Sequence, residues 1–355
     1  MFSHTGTVIH GIFIIHKYVV HTYPLLSLCS ERENWEAMRL IEVTHLTKRY
    51  GTHEAVSDLN FRLEPGRVYG LLGPNGAGKS TTMNMMTGCL APTEGTVVID
   101  GLDIYRQARQ AKRKIGYLPE IPPVYPDMTV EEYLRFVAGA KKLPRTEQKA
   151  AVRSVMERTT VDDMAGRLIR NLSKGYRQRL GIAQALLGDP EIIILDEPSV
   201  GLDPKQITEI RELISSLRGE RTVILSSHIL SEVQAVCDHI LILDHGKLAA
   251  SGTAEELQGQ MTAVPRLRLR VKCNEKTARR VVKGIAGVRL VRCAGAADGT
   301  TTLELETDGD RNEPVFLSFS QAGCPILQMT AGQASLEDIF LEVTDNSGET
   351  EDTQT

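Results

Sequence analysis

Across residues 38–258 short apolar runs alternate with stretches of helical period, which predicts an α/β layer of strands and covering helices. Leu40-Ile41-Glu42-Val43 opens the pattern as a first strand. Val68-Tyr69-Gly70-Leu71-Leu72 and Glu191-Ile192-Ile193-Ile194-Leu195 are nearly unbroken apolar segments, as strands covered on both faces should be. They mark the centre of the sheet. Thr129-Val130-Glu131-Glu132 reads as a capping box, and Val130, Tyr133, Leu134 and Val137 fall on one helical face behind it. Asp203 ahead of Pro204 starts another helix, with Ile207, Ile210, Ile214 and Leu217 turned inward and Gly219 at its end.

Beyond a linker near 259–265 the period changes. Arg266-Leu267-Arg268-Leu269-Arg270-Val271 alternates strictly, giving a strand with one apolar face. A helix near 277–285, two strands about the Asp298-Gly299 turn, a helix near 315–321 and a strand from Pro325 complete a βαββαβ order. That order predicts a small α+β domain of the split-βαβ kind over 265–344. The arginine stripe is read as a solvated strand face in preference to a contact with phosphate or lipid headgroups. Ser335-Leu336-Glu337-Asp338 is expected to cap a last helix, and residues 345–355 form a polar, acidic tail expected to be loose.

Residues 1–37 differ from the rest of the chain: four of the nine histidines and the single tryptophan, Trp35, fall there without amphipathic period. They are read as an extension or an upstream start assignment, lacking the basic start and cleavage site of a signal peptide. His4, His10, His16 and His21 share no common face that would make a metal site.

Composition narrows the function classes. The chain has 355 residues, which suggests two domains at roughly 150 residues each. A 41% apolar and 24% charged content suits a globular protein, and the net charge of −4 provides no global drive onto nucleic acid or anionic lipid. The best membrane-span candidate, residues 8–20, is broken by His10, His16 and Lys17. Cys29, Cys89, Cys237, Cys273, Cys293 and Cys324 lack metal or redox spacing and read as reduced, mostly buried thiols of a cytosolic protein.

Gly73-Pro74-Asn75-Gly76-Ala77-Gly78-Lys79-Ser80 fits the phosphate-loop pattern G-x-x-x-x-G-K-[ST], directly after an apolar strand and before a helix. Glycines let backbone amides approach a phosphate chain, Lys79 supplies a charge for the β and γ phosphates, and Ser80 can ligate Mg²⁺. Alone, the motif establishes nucleotide binding only. Asp196-Glu197 ends the buried strand, where an aspartate can hold the metal shell and a glutamate can take a proton from water. Leu172-Ser173-Lys174-Gly175-Tyr176-Arg177-Gln178 opens a helix with Ser173 as N-cap, a start whose free amides suit an anion.

In this order the motifs resemble the ATPase subunit of an ATP-binding cassette (ABC) transporter over residues 38–258. The resemblance implies a P-loop NTPase fold with a helical subdomain and assigns roles by position. Tyr50 falls where an aromatic stacks on adenine, and Gly73 to Ser80, with Thr81 after them, hold the nucleotide. Glu120, in Gly116-Tyr117-Leu118-Pro119-Glu120, stands at the Q-loop glutamine. Ser173 and Gly175 belong to the signature, Asp196 and Glu197 to the Walker B strand, Asp203 to the D-loop in Gly201-Leu202-Asp203, and His228 is the switch histidine. Two departures are visible: glutamate replaces the Q-loop glutamine, and the signature reads Ser-Lys-Gly-Tyr for Ser-Gly-Gly-Gln. Ser335 to Leu341 resembles the closing segment of exporter ATPases grouped with multidrug and gliding-motility systems.

The resemblance further implies ATP and Mg²⁺ as cofactors, with Ser80, Asp196 and Glu120 at the metal. It implies a head-to-tail pair of ATPase subunits, homodimer or otherwise, each ATP meeting one subunit's phosphate loop and the other's Ser173-Gly175. A separate integral membrane permease is expected as partner, received near Pro122-Pro123-Val124-Tyr125-Pro126, on the cytoplasmic face of the membrane. No nucleic acid is expected. A soluble ABC ATPase acting on DNA or ribosomes is the alternative, although such chains usually carry two cassettes, a coiled-coil insertion or zinc cysteines. A nucleotide-dependent scaffold is disfavoured by the presence of Glu197.

Overall fold

The computed structural model describes residues 41–261, 266–296, 298–332, 336–337 and 339–340. The expectations for residues 1–37, Ser335, Asp338, the tail and most of the linker lie outside them.

The chain opens with an antiparallel hairpin, β1 (Ile41–Tyr50) and β2 (His53–Leu63), followed by β3 (Val68–Leu72), α1 (Lys79–Met86), β4 (Glu94–Ile99), β5 (Leu102–Asp103) and the short α2 (Ala108–Ala111). β6 (Ile115–Leu118) leads to three helices, α3 (Val130–Ala140), α4 (Arg145–Arg158) and α5 (Lys174–Leu186). Then come β7 (Ile192–Leu195), α6 (Pro204–Ser216), β8 (Thr222–Ser227), α7 (Leu230–Val236), β9 (His239–Asp244), β10 (Lys247–Gly252) and α8 (Ala254–Met261). The first sheet is ordered β2-β1-β4-β5 and the second β10-β9-β3-β8-β7-β6. In the second, β9, β3, β8, β7 and β6 run parallel, with β10 antiparallel at one edge.

The apolar runs divide between two cores. Val68, Leu72, Ile193, Leu195, Val223 and Leu225 face one cluster with residues of α3, α4 and α5. Tyr69, Leu71, Ile192, Ile194 and Ile224 face a second, with the first sheet and Met83, Met85 and Met86 of α1. Successive strand residues point to opposite faces, so a strand buried on both sides must be apolar throughout.

The predicted helix starts are present. Thr129 accepts from the Glu132 amide at 3.3 Å while Glu132 accepts from the Thr129 amide at 2.9 Å, so both halves of the capping box form. Asp203 caps α6 by accepting from the Gln206 amide at 2.9 Å. Ile210, Leu213, Ile214 and Leu217 are buried there, whereas Ile207 is only half-buried.

A third sheet, ordered β12-β13-β11-β14, is antiparallel throughout. Its elements are β11 (Arg266–Val271), α9 (Glu275–Lys283), β12 (Val288–Gly295), β13 (Thr301–Thr307), α10 (Asn312–Gln321) and β14 (Ile326–Gly332), the βαββαβ order read from the sequence. Leu267, Leu269 and Val271 pack with Val282 and Phe319 in a core of its own. The arginine stripe is not an open cationic face. Arg266 pairs with Glu306, Arg268 with Glu304 and Arg270 with Asp298, because β13 and the turn before it lie in antiparallel register with β11. Farther along, Leu336 and Ile339 are buried within the first cluster, so the chain returns to that core after the third sheet.

The expectation of mostly buried thiols needs correction. Cys324 is buried, Cys237, Cys273 and Cys293 are half-buried, and Cys89 is exposed in the turn after α1; Cys29 lies outside the described residues. Among the described residues no helix is long and apolar enough to cross a membrane.

Candidate functional site

The phosphate loop joins β3 to α1 by a backbone that only small residues permit. Gly78 has φ +95°, and a Cβ there would lie 2.6 Å from the Ala55 carbonyl oxygen, so the loop and the β1–β2 hairpin approach too closely for a side chain. Gly78 caps α1, leaving the first-turn amides of that helix directed at the loop. Lys79, the first residue of α1, is buried and folds back over the loop. Its ammonium donates to the carbonyls of Gly73 at 2.8 Å and Pro74 at 3.1 Å.

A cavity of about 450 Å³ opens over this loop, lined by Tyr50, His53, Ala55, Asn75, Gly76, Gly78, Lys79, Ser80, Thr81, Glu120, Glu197, Val200 and His228. Tyr50 is half exposed at its rim, with Lys48 Nζ 5.3 Å from the ring centre, so an aromatic face and a cation stand where a base can stack. Neither His53 nor Val200 was singled out by the sequence.

Asp196 and Glu197 follow β7 and are both buried. Asp196 Oδ1 accepts from Ser80 Oγ at 3.1 Å and from Ser226 Oγ at 2.7 Å. Ser226 Oγ also accepts from the Glu197 amide at 2.8 Å, so this one hydroxyl at the end of β8 braces both acidic residues. Glu197 adopts φ +48°, a left-handed conformation unusual for a residue with a Cβ and typical of strained functional positions. Its Oε1 lies 3.5 Å from Lys79 Nζ and its Oε2 3.0 Å from His228 Nδ1. Beneath, burial pushes the Tyr117 phenol well above its ordinary range, with the Asp196 charge adding to the effect.

The donor set suits a magnesium ion arriving with a nucleotide. Ser80 Oγ and Asp196 Oδ1 are two hard oxygen donors 3.1 Å apart beside the phosphate loop, and Mg²⁺ is commonly held by one or two such ligands plus phosphate and water. Among the described residues no group of three or more His, Cys, Asp or Glu side chains is arranged to hold a metal by itself. Glu120 is exposed at the edge of the cavity and also borders a second one of about 400 Å³, with Ile121, Pro122, Val124, Lys174, Arg177, Gln178 and Val200. There the Gln178 side-chain amide nitrogen is buried without a hydrogen-bond partner.

Ser173 and Gly175 do not line the cavity over the phosphate loop of their own chain. Ser173 is exposed and caps α5, accepting from the Tyr176 amide at 3.3 Å. Gly175 is packed so closely that a Cβ would lie 2.7 Å from the Gln206 side chain. The two unusual signature residues are used within the chain. Lys174 lies against Gly201, and the Tyr176 hydroxyl donates to Asp163 at 2.8 Å. Asp203 spends its carboxylate on the cap of α6.

The comparisons with known proteins agree with this geometry. The ABC transporter family profile matches residues 56–200. The bacitracin transport ATP-binding protein of Bacillus licheniformis is 43% identical over 211 residues, covering 59% of this chain and 68% of that one. The linearmycin resistance ATP-binding protein of Bacillus subtilis (strain 168) is 31% identical over 310 residues, covering 86% of this chain and 98% of the other. Among solved structures, an ATP-binding subunit of an ABC transporter is 32% identical, with a TM-score of 0.57, over 62% of this chain and 92% of that one. A dimeric ATP-binding cassette in a post-hydrolysis state, bound to ADP and Pi, is 25% identical with a TM-score of 0.55, over 60% of this chain and 98% of the other. A phosphate loop opposite a strained glutamate, on the same cassette fold as these relatives, identifies the chain: it belongs to the ATP-binding subunits of ABC transporters and is an ATPase.

Proposed function

We propose that this protein drives an exporter from the cytoplasmic face of the membrane, as one of two ATPase subunits attached to a separate permease. The observation that carries the paired arrangement is the separation of Ser173 and Gly175 from the cavity formed by Lys79, Ser80, Glu197 and His228. One chain thus carries two incomplete halves, and a second copy facing it head to tail would complete both. The dimeric cassette bound to ADP and Pi supports this reading. Transport is supported by a relative whose name includes bacitracin transport, and export by one whose name includes Nod factor export.

In this reading Tyr50 stacks on the base, the loop amides and Lys79 grip the phosphates, and Ser80, Asp196 and Glu120 hold Mg²⁺. The ion, when bound, neutralises charge on the β and γ oxygens. Glu197 takes a proton from the attacking water, and His228 donates to the γ phosphate while bracing Glu197. Lys79 leaves its carbonyl partners for phosphate oxygens, a stronger charge-assisted contact. Loss of the γ phosphate removes the bridge between subunits, and the separation is passed to the permease.

Residues 38–258 serve as the nucleotide-binding domain and 265–344 as an accessory domain in this scheme. The permease contact is assigned to the segment after Glu120, where Ile121 is 81% exposed and Tyr125 and Phe136 form an exposed edge-on aromatic pair. Purified Glu197→Gln protein with ATP and Mg²⁺ should sediment as a dimer, and the wild type should show a specific activity that rises with concentration. Protomers that stay single under ATP, with turnover proportional to protein alone, contradict the shared site.

A further inference from the structure

Glu232 lies on α7, four residues past His228, and is only 7% exposed. Its Oε2 accepts from Ser199 Oγ and, at 3.1 Å, from Ser227 Oγ. Ser227 Oγ accepts in turn from the Ile229 amide at 3.0 Å. Among the described residues no ion pair involves Glu232. A carboxylate taken from water without a cation is unfavourable unless its hydrogen bonds are well made. Here both go to hydroxyls whose chain positions are informative.

Ser199 stands two residues after Glu197, on the segment that runs into Gly201-Leu202-Asp203, and Ser227 immediately precedes His228. One carboxylate oxygen therefore fastens the chain leaving the base to the chain entering the switch histidine. The strained φ of +48° at Glu197 requires such support from its surroundings. On the near side Ser226 holds the Glu197 amide. Glu232 supplies the matching restraint from behind.

We propose that Glu232 is a positioning residue, which sets the 3.0 Å approach of His228 to Glu197 by tying Ser199 to Ser227. It touches no nucleotide in this scheme and acts through the two loops. Because both hydroxyls donate to the same oxygen, a glutamine side-chain carbonyl can accept both bonds and keep the strap, whereas alanine cannot.

The inference rests on the reading of Glu197 as the base, and its test has one arm that does not. In Glu232→Ala, kcat should fall about 10- to 100-fold, as expected for displaced catalytic groups, with KM and fluorescent-ATP affinity essentially unchanged. Glu232→Gln should restore most of kcat, and Ser199→Ala should add little to Glu232→Ala. Independently of turnover, the imidazole ¹⁵N shifts of His228 in nucleotide-free protein should move in Glu232→Ala and return in Glu232→Gln. Unchanged His228 shifts, a Gln variant as poor as Ala, or parallel changes in kcat and KM each overturn the proposal. If Glu232→Ala does not fold, Glu232→Gln and the Ser199→Ala/Ser227→Ala pair decide by the same readouts. Wild-type turnover in Glu197→Gln defeats the base assignment alone.

Discussion

His228 Nδ1 lies 3.0 Å from Glu197 Oε2, while Lys79 approaches the other oxygen of the same carboxylate. The carboxylate is buried and gripped from both sides, so it is fixed before substrate arrives. Glu197→Gln preserves the shape and removes the base proposed above. Phosphate release should fall about 10² to 10⁴-fold, or roughly 3 to 5 kcal/mol of barrier, with ATP binding retained. A filter-binding assay beside the rate measurement separates the two effects.

The exposed N-cap at Ser173 predicts complementation between defective chains. Ser173→Glu places a negative charge where a partner's γ phosphate is assigned, and Lys79→Ala removes the loop cation. Each variant alone should be nearly inactive. A mixed dimer contains one composite site carrying both defects and one intact site, so mixing equal amounts should raise activity above the sum of the parts. Strictly additive activity would argue that each chain works with its own signature.

Glu120 replaces an amide with a carboxylate at the rim of the site. Glu120→Gln keeps an oxygen donor but loses its charge, so the Mg²⁺ concentration giving half-maximal rate should rise while maximal rate changes by less than about tenfold. Glu120→Ala should suffer more in both. A magnesium titration unaltered in Glu120→Gln would remove this residue from the metal site.

The capping box on α3 gives a pH-dependent prediction. The Thr129 amide bonded to Glu132 holds that carboxyl below its ordinary value of 4.5. A folded pKa below the unfolded one contributes stability above the unfolded value and loses it as pH falls through the folded one. The stability gap between wild type and Glu132→Ala should therefore be steady near neutrality and narrow below about pH 4.5. Thr129→Ala should lower unfolding free energy by about 1 kcal/mol in urea at pH 7.

The motifs around Lys79, Glu197 and His228 name residues that the fold brings to one cavity, because such chemistry admits few residue types at fixed spacing. The capping box at Thr129 and the βαββαβ order were legible for the same local reason. Ser226 was not, since its role appears only when β7 and β8 pair in parallel with Leu195 opposite Leu225. Glu232 likewise reads as an ordinary exposed helix residue until β8 and the loop after β7 enclose it. The arginine stripe was only half legible, because its neutralising carboxylates lie on or just before β13, 40, 36 and 28 residues away along the chain. Lys174 and Tyr176 look like a degraded signature in sequence, yet each has a neighbour in the fold, Gly201 and Asp163.

Leu336 and Ile339 return the chain to the first buried cluster after the third sheet is complete. The small sheet is thus spliced into the ATPase at two seams and does not dangle from one. A stop codon in the linker would strip side chains from the engine's interior, so loss of activity in such a truncation says nothing about the sheet itself. Exchanging it for a foreign module requires a graft that keeps the returning segment in place.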